Sequence, residues 1–344
     1  MSRVVFCNND ITDVKYSGFT ITKMYACGGE LVYSADTCDD AMLTYRYMPN
    51  GQIFTTPYNA EKTIYKSSIV GTHSCESQDN NYAHFELGNC VKAIDDNVFC
   101  SYGRQQWEIV IPASVESIGS NVFNNTPLPS IKFLGTNPPT IQADSFSGTT
   151  CPILVPCLAP YLRDTNWLKY ESRLVSYDTC GSGNKFSATY SDSSTYTIPC
   201  ASGGTLTLAE TSASTAPFTS MVSATVGNCV AIVGDNAFSG FTSLSSVTVS
   251  EGVVRLKDEV FSECSSLKNV DLPSTTTYIG GYAFYHCSSL ESLTVRAVEP
   301  PTLGGYALLG TSTAKKIYVP AESVETYKTA SRWNNYSNYI QAIQ

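Results

Sequence analysis

The sequence predicts a β-rich solenoid: two tandem modules made of one short repeat, behind a small β module at the N-terminus. Three observations predict it. A phenylalanine returns at a nearly fixed interval inside nearly the same phrase: DDNVFCSY at Phe99, GSNVFNNT at Phe123 and ADSFSGTT at Phe146, then GDNAFSGF at Phe238, KDEVFSEC at Phe261 and GGYAFYHC at Phe284. Leu308 in GGYALLGT takes the next place. A short stretch of alternating apolar residues follows each phrase, and the whole arrangement occurs twice. A fixed period in this range means that the units stack, because none can bury its apolar face alone.

Residues 1–43 do not fit the repeat and predict the small β module. Thr20 to Tyr25 alternates, Gly28-Gly29 can take the positive φ of a tight turn, and Glu30 to Tyr33 returns as the second arm of a hairpin. The first repeat module is placed at 44–180 and the second at 188–344, joined by the turn-rich segment CGSGNKFS. GNCVKAIDDNVF (88–99) aligns with GNCVAIVGDNAF (227–238), and LGTNPPTIQADSF (134–146) aligns with RAVEPPTLGGYAL (296–308). ILVP at 153–156 with Tyr161 and Trp167 answers IYVP at 317–320 with Tyr327 and Trp333, and the lead-in Pro57 to Thr63 matches Pro199 to Thr205.

Within a module the cleanest copies are VVRLKDEVFSECSSLKNVDLPST (253–275) and TTYIGGYAFYHCSSLESLTVRAV (276–298). Each holds a short apolar pair, a turn of Gly or Asp, the Ala/Val-Phe step, a small or Cys residue three later, and Ser-Ser-Leu. An alternating strand follows, Val270 and Leu272 in one copy, Leu293 and Val295 in the next, whose period of two puts those side chains on one face. One strand per turn predicts a parallel sheet. The Phe at constant phase points inward, burying about 1.5–3 kcal/mol worth of apolar surface per ring. Such a stack needs caps, and the amphipathic stretches Tyr161 to Tyr170 and Ala321 to Tyr336 are placed there, with their Tyr and Trp as cap packing.

These residues resemble the BspA-like leucine-rich repeats of bacterial surface antigens, whose pattern reads Ile-Gly-x-x-Ala-Phe-x-x-Cys-x-x-Leu followed by a Val/Ile-x-Leu/Ile strand. Val233 to Phe238, Ile279 to Phe284 and Ile118 to Phe123 carry the match, with Cys264 and Cys287 at the cysteine position and Phe241 and Tyr102 replacing it in two copies. The resemblance covers 90–175 and 229–344. It implies a leucine-rich repeat solenoid acting outside the cell. TITKMYACGGELVYS (20–34) resembles small N-terminal modules in structural proteins of bacteriophages that infect gut Bacteroides-type bacteria. That second resemblance implies a virion component, docked to other virion proteins through its N-terminal module, homo-oligomeric on the particle and serving attachment or host recognition. The alternative is a bacterial cell-surface or secreted adhesin that binds host protein or glycan.

Composition narrows the functions. The charged fraction is 15 % and the net charge −9, and no Lys/Arg cluster exists to displace counterions from a nucleic-acid backbone, so no nucleic acid is expected as partner. No stretch approaches the ~20 apolar residues of a membrane helix, so no membrane insertion is expected. MSRVVFCNND lacks the apolar run of a secretory signal, which fits a particle released by lysis or a signal already removed. Cys264 and Cys287, and Cys90 with its counterpart Cys229, are read as small inward hydrophobes. For Cys7, Cys27, Cys38, Cys75, Cys151, Cys157, Cys180 and Cys200 disulfides are left open.

No catalytic, cofactor or metal site is expected. CxxC and HExxH spacings are absent, and His73-Ser74-Cys75 is the nearest approach to ligand spacing. His84 and His286 complete the histidines, with His286 facing outward. Asp95-Asp96 lies in the turn before the Phe and is read as turn chemistry. The binding surface is placed on the strands, where the residue between two inward side chains must point outward. That gives Val110, Lys132 and Leu154 in module one and Thr248, Asp271, Thr294 and Tyr318 in module two, extended by Glu108, Asn269, Ser292 and Lys316. A glycan or a protein of the bacterial surface is the expected ligand of this row, with Tyr318 as a stacking ring.

Overall fold

Two strands per coil, rather than one, build the repeat. The computed structural model describes residues 4–6, 23–26, 31–34, 41–47, 52–68, 82–102, 108–178, 180–201 and 204–344. The Gly28-Gly29 turn, Cys7, Cys27, Cys38, Cys75 and His73 lie outside the described residues. The chain divides into two compact units, Met1–Leu154 and Val155–Gln344. This limit falls inside the strand Ile153–Val155, so residues 155–178 belong to the second unit. The modules 44–180 and 188–344 stand as a proposal about duplication of the sequence.

In the first unit Lys23–Ala26 pairs antiparallel with Leu31–Ser34, the predicted hairpin, and parallel with Val4–Phe6. Leu43–Tyr47 is the centre of a three-stranded antiparallel sheet with Gln52–Thr56 and Tyr82–Leu87. The coils follow. Ile109–Ile111, Ile131–Phe133 and Ile153–Val155 are parallel neighbours, the long strands expected from the alternation. Thr63–Ile64, Ala93–Ile94, Ser117–Ile118 and Thr140–Ile141 form a second parallel sheet from the apolar pairs ahead of each Phe turn.

The second unit repeats this plan with more coils. Asn184–Tyr190 pairs antiparallel with both Thr195–Pro199 and Met221–Val226, after which Ser246–Val249, Asn269–Leu272, Ser292–Val295, Lys316–Val319 and Ile340–Ala342 add in parallel. The short-strand sheet runs Thr205–Leu206, Ile232–Val233, Arg255–Leu256, Tyr278–Ile279 and Thr302–Leu303. Glycine follows the short strand at Gly119, Gly234, Gly280 and Gly304, whereas Tyr65, Asp95, Gln142, Thr207 and Lys257 stand in that place in the other coils. A Cβ on Gly280 would lie 2.4 Å from the backbone carbonyl of Lys257 in the preceding coil, and one on Gly304 would lie 2.2 Å from the Gly281 nitrogen. Backbone packs on backbone there, which only glycine permits.

A third line of bonds runs along the Phe turns. The amides of Phe238, Phe261 and Phe284 donate to the carbonyls of Val260, Ala283 and Ala307 one coil on, each at 2.8 Å. The residues two before and two after each Phe do the same: Asn236 to Asp258 and Gly240 to Ser262, Glu259 to Gly281 and Glu263 to Tyr285, Tyr282 to Gly305 and His286 to Leu309. Those flanking residues have positive φ, which turns their N–H groups toward the neighbour. Aspartates reinforce the line, since Asp96 accepts from the Ser120 amide at 2.7 Å and Asp258 from the Gly281 amide at 2.7 Å. Asp95-Asp96 is thus a turn element that also ties one coil to the next.

The phenylalanines fill the space between the two sheets. Phe99, Phe123 and Phe146 are buried, with successive ring centroids at 5.8 and 5.6 Å and nearly parallel planes. Phe238, Phe261 and Phe284 are buried in the same way at 5.2 and 5.4 Å, and Leu308 continues the column. The cysteine position does more than fill volume. The Cys264 thiol donates to the Phe238 carbonyl and the Cys287 thiol to the Phe261 carbonyl, each at 3.0 Å. In the first unit Thr126 takes that slot and its hydroxyl donates to the Phe99 carbonyl at 2.5 Å. Each thiol adds a second donor to a carbonyl that already accepts from a backbone amide of its own turn, Phe238 from Phe241 at 3.3 Å and Phe261 from Cys264 at 3.2 Å.

Cys229 departs from the sequence reading. Although buried, it is joined to Cys200, and Cys90 is also disulfide-bonded rather than a small free hydrophobe. The lead-in loop is the reason: the Gly204 carbonyl accepts from the amides of Ala231 and Ile232, which brings Cys200 to a Cα distance of 6.0 Å from Cys229. Cys157 and Cys180 form a second bridge. The cap stretches are helical, Leu158–Arg163 with Thr165–Leu168, and Val324–Thr329. In each a buried Tyr meets a buried Trp edge-on, Tyr161–Trp167 at 4.9 Å and Tyr327–Trp333 at 5.2 Å. The Trp333 indole donates to the Pro301 carbonyl and the Tyr327 hydroxyl to that of Ala297, each at 2.7 Å, so the cap closes on the Pro-Pro step.

Two outcomes follow from this packing. Phe261→Ala, removing the middle ring of its column, is expected to destabilise the second unit by about 3–5 kcal/mol in urea titration. A loss under about 1 kcal/mol would contradict the column. Cys264 and Cys287 are buried free thiols, and burial pushes Cys287 up to about 12 and Cys264 in the same direction. They are expected to resist alkylation in the folded protein and to be fully alkylated once unfolded without reductant, as read by peptide mass analysis.

Candidate functional site

The long-strand sheets turn one face inward, and side-chain alternation decides which residues face out. In the second unit the outward residues stand in rows across the strands. One row runs Thr225, Thr248, Asp271, Thr294, Tyr318 and Gln341, each opposite the next in register. The other runs Ser223, Ser246, Asn269, Ser292 and Lys316. The first unit carries a shorter row in which Lys132 lies opposite both Val110 and Leu154. Val110 and Thr248 are exposed, while Lys132, Leu154, Asp271, Thr294 and Tyr318 are half-buried between their neighbours.

The predicted residues are therefore brought together in two groups, Val110, Lys132 and Leu154 in one unit and Thr248, Asp271, Thr294 and Tyr318 in the other. Sequence reasoning missed the ends of the longer row. Ser187 stands opposite both Thr225 and Thr197, so hydroxyls continue onto the antiparallel lead-in strands. The signal was the alternation of Phe186, Ala188 and Tyr190 with Ser187 and Thr189, which falls outside the repeat pattern. It also missed Arg296, whose Nε and Nη2 bind the two carboxylate oxygens of Asp271 at 2.8 and 2.7 Å. These bonds hold the Arg296 pKa up, first through hydrogen bonding and then through the carboxylate charge. Both side chains are about half exposed, so the pair is worth only about 0–1 kcal/mol; its effect is to fix the carboxylate's orientation. Ser292 likewise donates to Asn269 at 2.7 Å, and Ser130 to Glu108 at 2.6 Å.

Such rows offer hydroxyl, amide and fixed ionic groups at the spacing of neighbouring strands, about 4.8 Å. Among the described residues no cluster of three or more His, Cys, Asp or Glu could hold a metal ion, and no helix is long and apolar enough to cross a membrane. His286 faces outward and pairs with Glu263 at 2.9 Å.

One cavity, of about 530 Å³, lies in the second unit between the Leu158–Arg173 segment and the short-strand sheet, lined by Leu158, Leu168, Leu174, Ile232 and Lys257 among others. The carboxylate beside it is ion-paired. Glu171 is held by Arg255 at 3.2 Å and by Lys257, and the Arg255 guanidinium also lies 4.1 Å from the Tyr278 ring centroid. This cavity is the seam where the helical segment packs on the coils.

The model of the BspA type leucine rich repeat region matches in six copies, over residues 54–152 and 216–337. No curated protein matches the chain. Among solved structures, a leucine-rich repeat protein from Bacteroides ovatus is 18 % identical over 75 % of this chain and 53 % of its own, with a TM-score of 0.31. A leucine-rich repeat protein from Eubacterium ventriosum is 18 % identical over 67 % of this chain and 52 % of its own, with a TM-score of 0.24; the chain thus spans about half the length of these two proteins. A leucine rich cell surface protein from Faecalibacterium prausnitzii is 17 % identical, covering 88 % of this chain and 97 % of its own, with a TM-score of 0.29. The coils, their phenylalanine column and the matched residues agree, and the chain belongs to the BspA type leucine-rich repeat family.

Proposed function

We propose that the chain is a non-enzymatic recognition protein displayed outside the cytoplasm, which attaches to a protein or glycan of a cell surface through the outward rows of its long-strand sheets. The observation that carries this reading is the register of Thr248, Asp271, Thr294 and Tyr318, which makes one continuous polar line from four different coils. The inward positions of the same strands are uniformly apolar, whereas the outward ones differ in chemistry from coil to coil. Variation on a fixed frame is what a binding surface needs. The partner-facing residues in this reading are those four together with Val110, Lys132 and Leu154.

A bacterial surface or secreted adhesin is the carrier favoured by the cysteines. Cys157–Cys180 and Cys200–Cys229 are bridged, and such bonds form and persist in oxidising compartments rather than in the cytoplasm, where a phage particle assembles. Carriage on a phage virion is the second reading, favoured by the hairpin of Lys23–Ala26 and Leu31–Ser34 in the segment that resembles phage structural modules. In that reading residues 1–43 dock to other virion proteins and several copies stand on the particle. Antibody labelling of intact cells against purified particles from a lysate separates the two.

The binding role is tested by changing Asp271, Thr294 and Tyr318 together to alanine and measuring adhesion of the labelled protein to bacterial and host cells. At least a tenfold loss of bound protein is expected. The melting temperature should move little, because the Asp271–Arg296 pair is exposed. Unchanged adhesion would remove the row from the binding surface.

A further inference from the structure

The line of bonds along the Phe turns has a direction, and in the second unit both of its ends are open. Each turn gives three amides to the coil after it and offers three carbonyls to the coil before it, as Asn236, Phe238 and Gly240 donate to Asp258, Val260 and Ser262. In the last coil the corresponding amides belong to Tyr306, Leu308 and Gly310. The Tyr336 hydroxyl of the cap takes the Leu308 amide. The Tyr306 and Gly310 amides have no hydrogen-bond partner among the described residues. Their φ of 57° and 76° matches the 58° and 76° of Asn236 and Gly240, the same places in a coil where these amides donate onward.

The first Phe turn of the unit mirrors this arrangement with acceptors. Its outward carbonyls are those of Asp235, Ala237 and Ser239, and the Thr211 hydroxyl of the short helix Leu208–Thr211 donates to the middle one, Ala237. The carbonyls of Asp235 and Ser239 receive no hydrogen bond among the described residues. At each end, then, a hydroxyl covers the central group and leaves the two flanking groups open. Exposed apolar side chains border both ends. Tyr306 and Leu309 are 62 % and 48 % exposed at the far end, and Leu208 and Phe218 are 40 % and 42 % exposed at the near end, where Phe218 packs on Phe241 at 5.0 Å.

We propose that these two ends are complementary faces through which copies of this chain join head to tail, the far end of one second unit meeting the near end of the next. Rows of unpaired N–H and C=O groups are templates for pairing with another chain. The far end offers only donors and the near end only acceptors, so two far ends or two near ends cannot bond to each other. A two-fold contact is therefore excluded, and the heterologous contact that remains adds copies in one direction. The occupant is this chain rather than an unrelated peptide because the acceptors of such amides, coil after coil, are the carbonyls of another Phe turn. The first coil presents that same turn, with the left-handed residues in place. Joined copies repeat the outward rows, which raises avidity without a new contact.

The test is sedimentation velocity of the whole chain over a hundredfold range of concentration, with Leu309→Glu blocking the far end and Leu208→Glu the near end. Wild-type protein is expected to form species larger than a dimer as concentration rises. Each variant alone is expected to stay monomeric, with an unchanged melting temperature because both side chains are exposed. An equal mixture of the two variants should form dimers and nothing larger, since each supplies the one intact face that the other lacks. Tyr306→Glu repeats the far-end test at a second position. A wild type that stays monomeric throughout, or stops at a dimer, would overturn the proposal. So would variants that assemble as the wild type does, or a mixture that stays monomeric while the wild type assembles.

Discussion

Every coil of this protein depends on bonding to the next along its whole perimeter. The long strands, the two-residue strands and the Phe turns each bond to the neighbouring coil, which satisfies backbone groups that the packed stack holds away from water. The bonded segments keep their register while the links between them vary, since Thr205 pairs with Ile232 27 residues on, Ile232 with Arg255 23 on and Tyr278 with Thr302 24 on. Coil-to-coil bonding also accounts for residues that a packing argument leaves unexplained. Glycine follows the apolar pair at Gly119, Gly234, Gly280 and Gly304 because backbone meets backbone, and left-handed residues recur around each Phe because their amides must point along the stack.

Within that frame the phenylalanine column supplies the apolar burial and the cysteine or threonine beside it completes the carbonyls. Exchange of threonine for cysteine at this position keeps a small donor while changing little else. Where the position holds Phe241, a second aromatic packs on Phe238 at 5.6 Å instead. The caps serve the same economy of polar groups at the end of the stack, with Tyr327 and Trp333 donating to carbonyls that no further coil could satisfy. Function is then free to occupy whatever faces outward.

The period, the inward Phe positions and the outward row residues were legible in the sequence, since each rests on spacing along the chain. Val270 and Leu272 face in and Asp271 faces out for no reason beyond alternation. What escaped was set by contacts between segments distant in sequence. The pairing of Cys229 with Cys200 depends on the lead-in loop lying against the turn at 227–231, and nothing in the repeat phase reveals it. The same is true of Arg296 reaching back to Asp271. The second short strand was present in the sequence as an apolar pair, but two residues are too few for a periodicity to declare itself.

The rows, the open ends of the Phe-turn line and the apolar core all depend on one property: the coils of the second unit stand as a single cooperative stack. Native-state hydrogen exchange of the Phe238, Phe261 and Phe284 amides measures that property most directly, because these three donate from one coil to the next. The account predicts that all three exchange only through global opening, with one common free energy equal to that of unfolding in urea. Exchange of any one of them by local opening, at a free energy well below the global value, would contradict it.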